Sequence, residues 1–122
     1  MKCFNVGILG TGSIAQSMAF TLNALKDKGE VVPYAIASRS LKKAENFARE
    51  WHFEKAYGSY EALVSDPAVD LIYIATPHSL HYEHALLCLN HSKNTLVEKS
   101  FTANAKQAQK LLSLAADKKV FL

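Results

Sequence analysis

The chain is poor in cysteine, proline and long hydrophobic runs, and each shortage excludes something. Only two cysteines, Cys3 and Cys88, occur in 122 residues. That rules out the dense disulfide framework of a small secreted domain. Both are expected as buried free thiols in a reducing, cytoplasmic setting. No apolar run approaches the roughly 20 residues needed to cross a bilayer, so no membrane partner is expected. Met1-Lys2-Cys3 leads at once into apolar sequence, with no basic segment and long apolar stretch of a signal peptide. Three prolines and five glycines are too few and too scattered for a linker or a low-complexity tract. One domain over residues 1–122 is the expectation. Neither sign of charge dominates: 14 basic against 11 acidic side chains give a net +3. The lysines form no block, so nucleic acid is not an expected partner. With 49% apolar residues the chain can build a core of its own.

What is present is organised around one stretch, Phe4-Asn5-Val6-Gly7-Ile8-Leu9-Gly10-Thr11-Gly12-Ser13-Ile14-Ala15. It reads as a buried strand, a glycine turn and a helix start. Gly10, Gly12 and Ala15 occupy the three positions of the pattern G-x-G-x-x-G/A. Gly10 can turn sharply off the strand because it has no Cβ. Gly12 leaves room for a pyrophosphate, and Ala15 lets the helix pack closely. The N–H groups of the first helical turn then face the phosphates, aided by the helix dipole.

Strands and helices alternate after that. Strand signals cover Cys3 to Leu9, Val31 to Ala37, Lys55 to Tyr57, Asp70 to Ala75 and Asn94 to Glu98. Helical spacing covers Ser13 to Lys28, Leu41 to His52, a short piece up to Val64, Ser79 to Asn90 and Asn104 to Lys118. Gly29, Ser40, Ser59 and Asn104 are the expected cap residues. In the last helix, Ala105, Ala108, Leu112 and Ala115 form the expected inner face. Pro33 near the start of its strand is tolerable if that part lies outside the ladder. Val120-Phe121-Leu122 resembles the opening of a sixth strand. The alternation predicts an α/β fold of Rossmann type: a doubly wound parallel sheet with helices on both faces, strand order 3-2-1-4-5-6.

In such sheets ligands sit beyond the carboxyl ends of the strands. Four polar clusters fall there: Gly10 to Ser13, Ser38 to Ser40, Thr76 to His78, and Glu98-Lys99. A carboxylate after the second strand would bind a ribose diol and repel a 2′-phosphate. This chain has Ser38 and Arg39 instead, with Lys42 and Lys43 following. Arg39 and Ser38 suit a 2′-phosphate, which favours NADP over NAD. Stacking of Arg39 on adenine is the alternative, and it leaves NAD open. Ala75-Thr76-Pro77 forms a small, proline-fixed turn against which a ribose and nicotinamide can lie, with His78 as a polar contact. His78, His81 and His84 recur at spacing three, but no matching cysteine or carboxylate set accompanies them, so a metal site is not expected. Lys99 can donate to a substrate oxygen and stabilise negative charge that develops during hydride transfer.

Taken together, Gly10-Thr11-Gly12-Ser13-Ile14-Ala15, Ala37-Ser38-Arg39-Ser40, Ile74-Ala75-Thr76-Pro77-His78 with His81, and Glu98-Lys99 resemble the N-terminal domain of the Gfo/Idh/MocA oxidoreductases. The resemblance runs over essentially the whole chain. It implies NAD(P)-linked oxidation or reduction of a small-molecule sugar, polyol or diol, with Lys99 catalytic and Gly10 to Ala15, Ser38, Arg39, Lys43, Ala75 to His78, His81, Glu98 and Lys99 itself binding cofactor. Ser100 stands where the family's E-K-P motif has proline. The family also implies a C-terminal substrate domain outside this chain and a homo-oligomeric full-length enzyme. A non-catalytic sensor or corepressor on the same domain is the alternative, and Lys99 argues against it.

Overall fold

The computed structural model describes residues 3–97 and 105–122. The expectations for Glu98, Lys99 and the Asn104 cap lie outside these residues.

Five strands form one parallel sheet: β1 (Phe4–Leu9), β2 (Val31–Ala37), β3 (Lys55–Tyr57), β4 (Leu71–Ile74) and β5 (Asn94–Val97). Their spatial order is β3-β2-β1-β4-β5. The helices are α1 (Ser13–Lys26), α2 (Leu41–Trp51), α3 (Tyr60–Val64), α4 (His81–Asn90) and α5 (Ala105–Lys118). Chain order runs outward from β1 to β3, then jumps back to β4 on the other side of β1. That reversal opens a crevice at the carboxyl ends of β1 and β4.

The strand period of two divides the core into two layers. Val6, Ile8, Ile36 and Tyr73 face α1 and α2, packing on Ala15, Ala19, Leu22, Ala44 and Phe47. Leu9, Ala35, Ala37, Ile72 and Ile74 face the other way, onto Leu63, Val64, Ala85, Cys88, Leu89, Leu111 and Ala115 of α3, α4 and α5. Both faces are therefore covered, which is why β4 reads as an unbroken apolar run.

The structure departs from the sequence reading in several places, one being the end of α1, where Asp27 rather than Gly29 is the C-cap. Pro33 is buried and sits inside the ladder opposite Val6. The register shifts between Val6 and Gly7, so Tyr34 is bulged out and the missing proline N–H is accommodated there. The inner face of α5 is set by Leu111, fully buried, while Leu112 is 57% exposed. Cys3 is exposed, its thiol donating to the Gly29 carbonyl at 2.7 Å; only Cys88 is buried. Residues 120–122 form no strand, although the Thr95 N–H donates to the Phe121 carbonyl beside β5.

Candidate functional site

Three strands end at one level. Leu9 is paired with both Ala37 and Ile74. The residues that follow are tied across the sheet, with the Gly10 N–H donating to the Ala37 carbonyl and the Ala75 N–H to the Leu9 carbonyl, both at 2.9 Å. Three successive turns are thereby brought around a single cavity of about 690 Å³. That volume lies within the range of about 300–1,000 Å³ of small-molecule and cofactor sites.

The glycine turn does what its pattern requires. Gly10 has φ +107, and a Cβ there would lie 3.1 Å from the Ala75 carbonyl oxygen. Only glycine fits this position without strain. Gly12 has an ordinary extended backbone, φ −79 and ψ −168, and serves as the N-cap of α1 without any side-chain cap. A Cβ on Gly12 would meet nothing within 4 Å. The space beside it is thus open, and the first-turn N–H groups of α1 lie at the edge of the cavity with no side chain capping them. Thr11, Ser13 and Ile14 line the cavity with the two glycines. Ala15 does not; it is fully buried beneath the turn and lets α1 pack onto β1.

The second wall comes from the turn after β2. Ser38, Arg39, Ser40 and Lys43 all line the cavity. Ser38 is buried and its Oγ accepts from the Ser40 N–H at 3.2 Å, which shapes the turn. Ser40 in turn caps α2, accepting from the Lys43 N–H at 3.3 Å. Arg39 is left exposed at the rim. Among the described residues, the lining includes two cationic side chains, Arg39 and Lys43, and no carboxylate. This is an anion-attracting end.

The third wall is Ala75, Thr76, Pro77, His78 and His81. A single 3-10 turn, His78–Leu80, precedes α4, so the helical signal from Ser79 resolves into two pieces. His81 is 2% exposed and its Nε2 lies 2.8 Å from the Thr76 carbonyl oxygen. Its placement is therefore structural as well as site-lining. His84 also turns inward, Nδ1 2.7 Å from Thr76 Oγ1.

Sequence reasoning missed Tyr60, which lines the cavity from the start of α3. Its ring lies against that of His84, with centroids 4.6 Å apart. The local sequence marks Ser59 as a cap, and that role holds, with Ser59 Oγ accepting from the Ala62 N–H at 3.2 Å. Nothing local says that the next residue reaches a pocket built by β1 and β4.

The family model for an oxidoreductase family with an NAD-binding Rossmann fold matches residues 4–122. The chain is 42% identical over 116 residues to trans-1,2-dihydrobenzene-1,2-diol dehydrogenase of Xenopus tropicalis, covering 95% of this chain and 35% of that protein. It is 44% identical to D-xylose 1-dehydrogenase (NADP(+)) of Hypocrea jecorina, covering 95% and 32%. An NAD-binding oxidoreductase from Klebsiella pneumoniae superposes with a TM-score of 0.90 at 31% identity, covering 98% of this chain and 33% of that one. The chain thus spans about a third of the length of these relatives.

Proposed function

This chain belongs to the Gfo/Idh/MocA oxidoreductase family, and from that membership we propose that it is the NADP-binding half of a dehydrogenase acting on a sugar, polyol or diol. The observation that carries the reading is the cavity at the β1–β4 crevice, with a glycine turn left open at Gly12 and a cationic rim at Arg39. The relatives named for a diol and for D-xylose with NADP(+) support the substrate class and the cofactor.

The residues present fit a dinucleotide. Gly10 and Gly12 let the backbone approach a pyrophosphate, and the first turn of α1 supplies N–H donors and the positive end of its dipole. Arg39 and Lys43 would hold a 2′-phosphate by charge-assisted hydrogen bonds, with Ser38 as a neutral partner. Ala75, Thr76 and Pro77 offer a flat, small-residue wall to the ribose and nicotinamide, with His78 and His81 at its far end. The bound nicotinamide would supply the carbon that gives or takes hydride. Lys99 follows β5 in sequence and is assigned the polarisation of the substrate oxygen, and its sequence neighbour Glu98 is assigned to cofactor binding. The group that moves the proton lies outside this chain, in a C-terminal substrate domain. A cytoplasmic, homo-oligomeric full-length enzyme is part of the same reading. Among the described residues no helix is long and apolar enough to cross a membrane.

The test is a fluorescence titration of the folded chain with NADPH and NADH, repeated for Arg39→Ala. The expected result is tighter binding of NADPH. Loss of a charge-assisted contact then weakens NADPH by roughly tenfold to a hundredfold and leaves NADH little changed. A folded chain that binds neither cofactor sinks the proposal.

A further inference from the structure

His84 lies one layer behind the cavity. It is on α4, is 8% exposed and does not line the pocket. Two lining residues nevertheless rest on it. Thr76 Oγ1 is 2.7 Å from its Nδ1, and the Tyr60 ring leans on its imidazole at a centroid distance of 4.6 Å. His81, one helical turn earlier, takes the same Thr76 by its carbonyl oxygen at 2.8 Å. A carbonyl only accepts, so the hydrogen there sits on His81 Nε2. Thr76 is thus fixed at its side chain and at its backbone. Its methyl group lies beside the glycine turn, 3.3 Å from where a Cβ of Gly10 would stand.

We infer that His84 is a positioning residue for the dinucleotide pocket, holding the Thr76 hydroxyl and the Tyr60 ring in one fixed wall. The inference rests on the NADP-binding reading and deepens it. Burial pushes the imidazole pKa down; Glu83 and Glu61 oppose this and His81 adds to it. The ring is therefore neutral at neutral pH, and its Nδ1 and the Thr76 hydroxyl share one hydrogen bond whose donor is set by the ring's tautomer. An apolar side chain at position 84 would leave that hydroxyl buried without its partner, which is costly enough to move the turn. It would also remove the surface that Tyr60 leans on. The spacing of three between His81 and His84, which resembles a metal pattern in the sequence, has a simpler purpose. It aims two rings on one helix face at a single residue of the preceding turn.

The test measures NADPH affinity by fluorescence titration of the folded chain carrying His84→Leu, His84→Asn, Thr76→Val, and the pair His84→Leu with Thr76→Val. His84→Leu and Thr76→Val are each expected to weaken binding about tenfold, the effect of one well-placed hydrogen bond. The double variant should lose no more than His84→Leu alone, because the Thr76 hydroxyl acts only through the contact that His84→Leu already removes. His84→Asn keeps a polar atom near the Nδ1 position and should stay within about threefold of the unaltered chain. Thr76→Val breaks the bond without touching α4, so the comparison stands even where His84→Leu does not fold. Unchanged affinity in folded Thr76→Val or His84→Leu, or additive losses in the double variant, would overturn the inference while leaving NADP binding intact. Failure of the unaltered chain to bind NADPH or NADH would overturn the reading beneath it as well.

Discussion

The two glycines of the turn are expected to fail in opposite ways when replaced by alanine. Gly10→Ala forces a Cβ onto a backbone at φ +107, which costs about 1–3 kcal/mol by itself. The new methyl would also stand 3.1 Å from the Ala75 carbonyl oxygen and 3.3 Å from Thr76 Cγ2. Ala75 cannot easily yield, because its N–H is bonded to Leu9 at 2.9 Å. A total loss of about 3 kcal/mol follows, equivalent to a fall in Tm of roughly 10 °C for a domain this size. Gly12→Ala meets no such obstacle, since its backbone is extended and nothing lies within 4 Å of the added carbon. Alanine is a poorer N-cap than glycine, but it restricts the unfolded chain by about 0.4–1 kcal/mol in compensation. Stability should therefore stay within about 1 kcal/mol of the unaltered chain. The methyl nevertheless occupies the open space a pyrophosphate needs, so NADPH binding should fall by tenfold or more. Thermal unfolding followed by circular dichroism, together with NADPH titration, separates the two outcomes. If Gly12→Ala binds cofactor normally, or melts as low as Gly10→Ala, the division of labour within the turn is refuted.

The remaining expectations can be checked on the same material. Leu111→Ala should cost about 2–5 kcal/mol through a cavity in the α4–α5 layer, whereas exposed Leu112→Ala should be nearly neutral by chemical denaturation. Burial pushes the Cys88 thiol up to about 12; a thiol reagent should therefore titrate Cys3 alone in the native protein and both cysteines after unfolding. Burial opposes the Asp66 charge, yet hydrogen bonds from Tyr57, the Ala68 N–H and Tyr34 outweigh it and hold the carboxyl below its ordinary value. Its depressed folded pKa means that this stabilisation is present above the unfolded carboxylate pKa. It is lost as pH falls through the folded value, and Asp66→Asn should flatten the acid limb of an unfolding curve. In the full-length enzyme, Lys99→Ala should lower kcat far more than it raises KM for cofactor; unchanged turnover removes Lys99 from the mechanism.

Much of the site was legible because its parts are local. Gly10 carries a backbone requirement and Gly12 leaves an open space, and both show within three residues of sequence. The Ser38-Arg39 pair is read from its place after a strand, and the caps Ser40 and Ser59 from their place before helices. The Pro33 bulge was not legible, because nothing in β2 alone reveals how β1 will slide against it. On the buried face of α5, Ala115 stands as read, but Ala105 is exposed and Leu111 takes the place expected of Leu112, a choice made only by packing on α4. Tyr60 was missed because it reaches the cavity from α3, across elements distant from β1 and β4 in the fold, and His84 because its contact with the Thr76 side chain depends on how the turn after β4 seats α4.

The sequence by itself determined the α/β alternation, the two-sided burial of the strands and the glycine turn, because periodicity and backbone sterics act over a few residues. Only the tertiary structure decided which side chains meet. The paired ends of β1, β2 and β4 set the cavity, and the packing of α3 and α4 behind it brings Tyr60, Thr76, His81 and His84 together. The Tyr60 contact in particular joins elements separated in the chain, which no local pattern encodes.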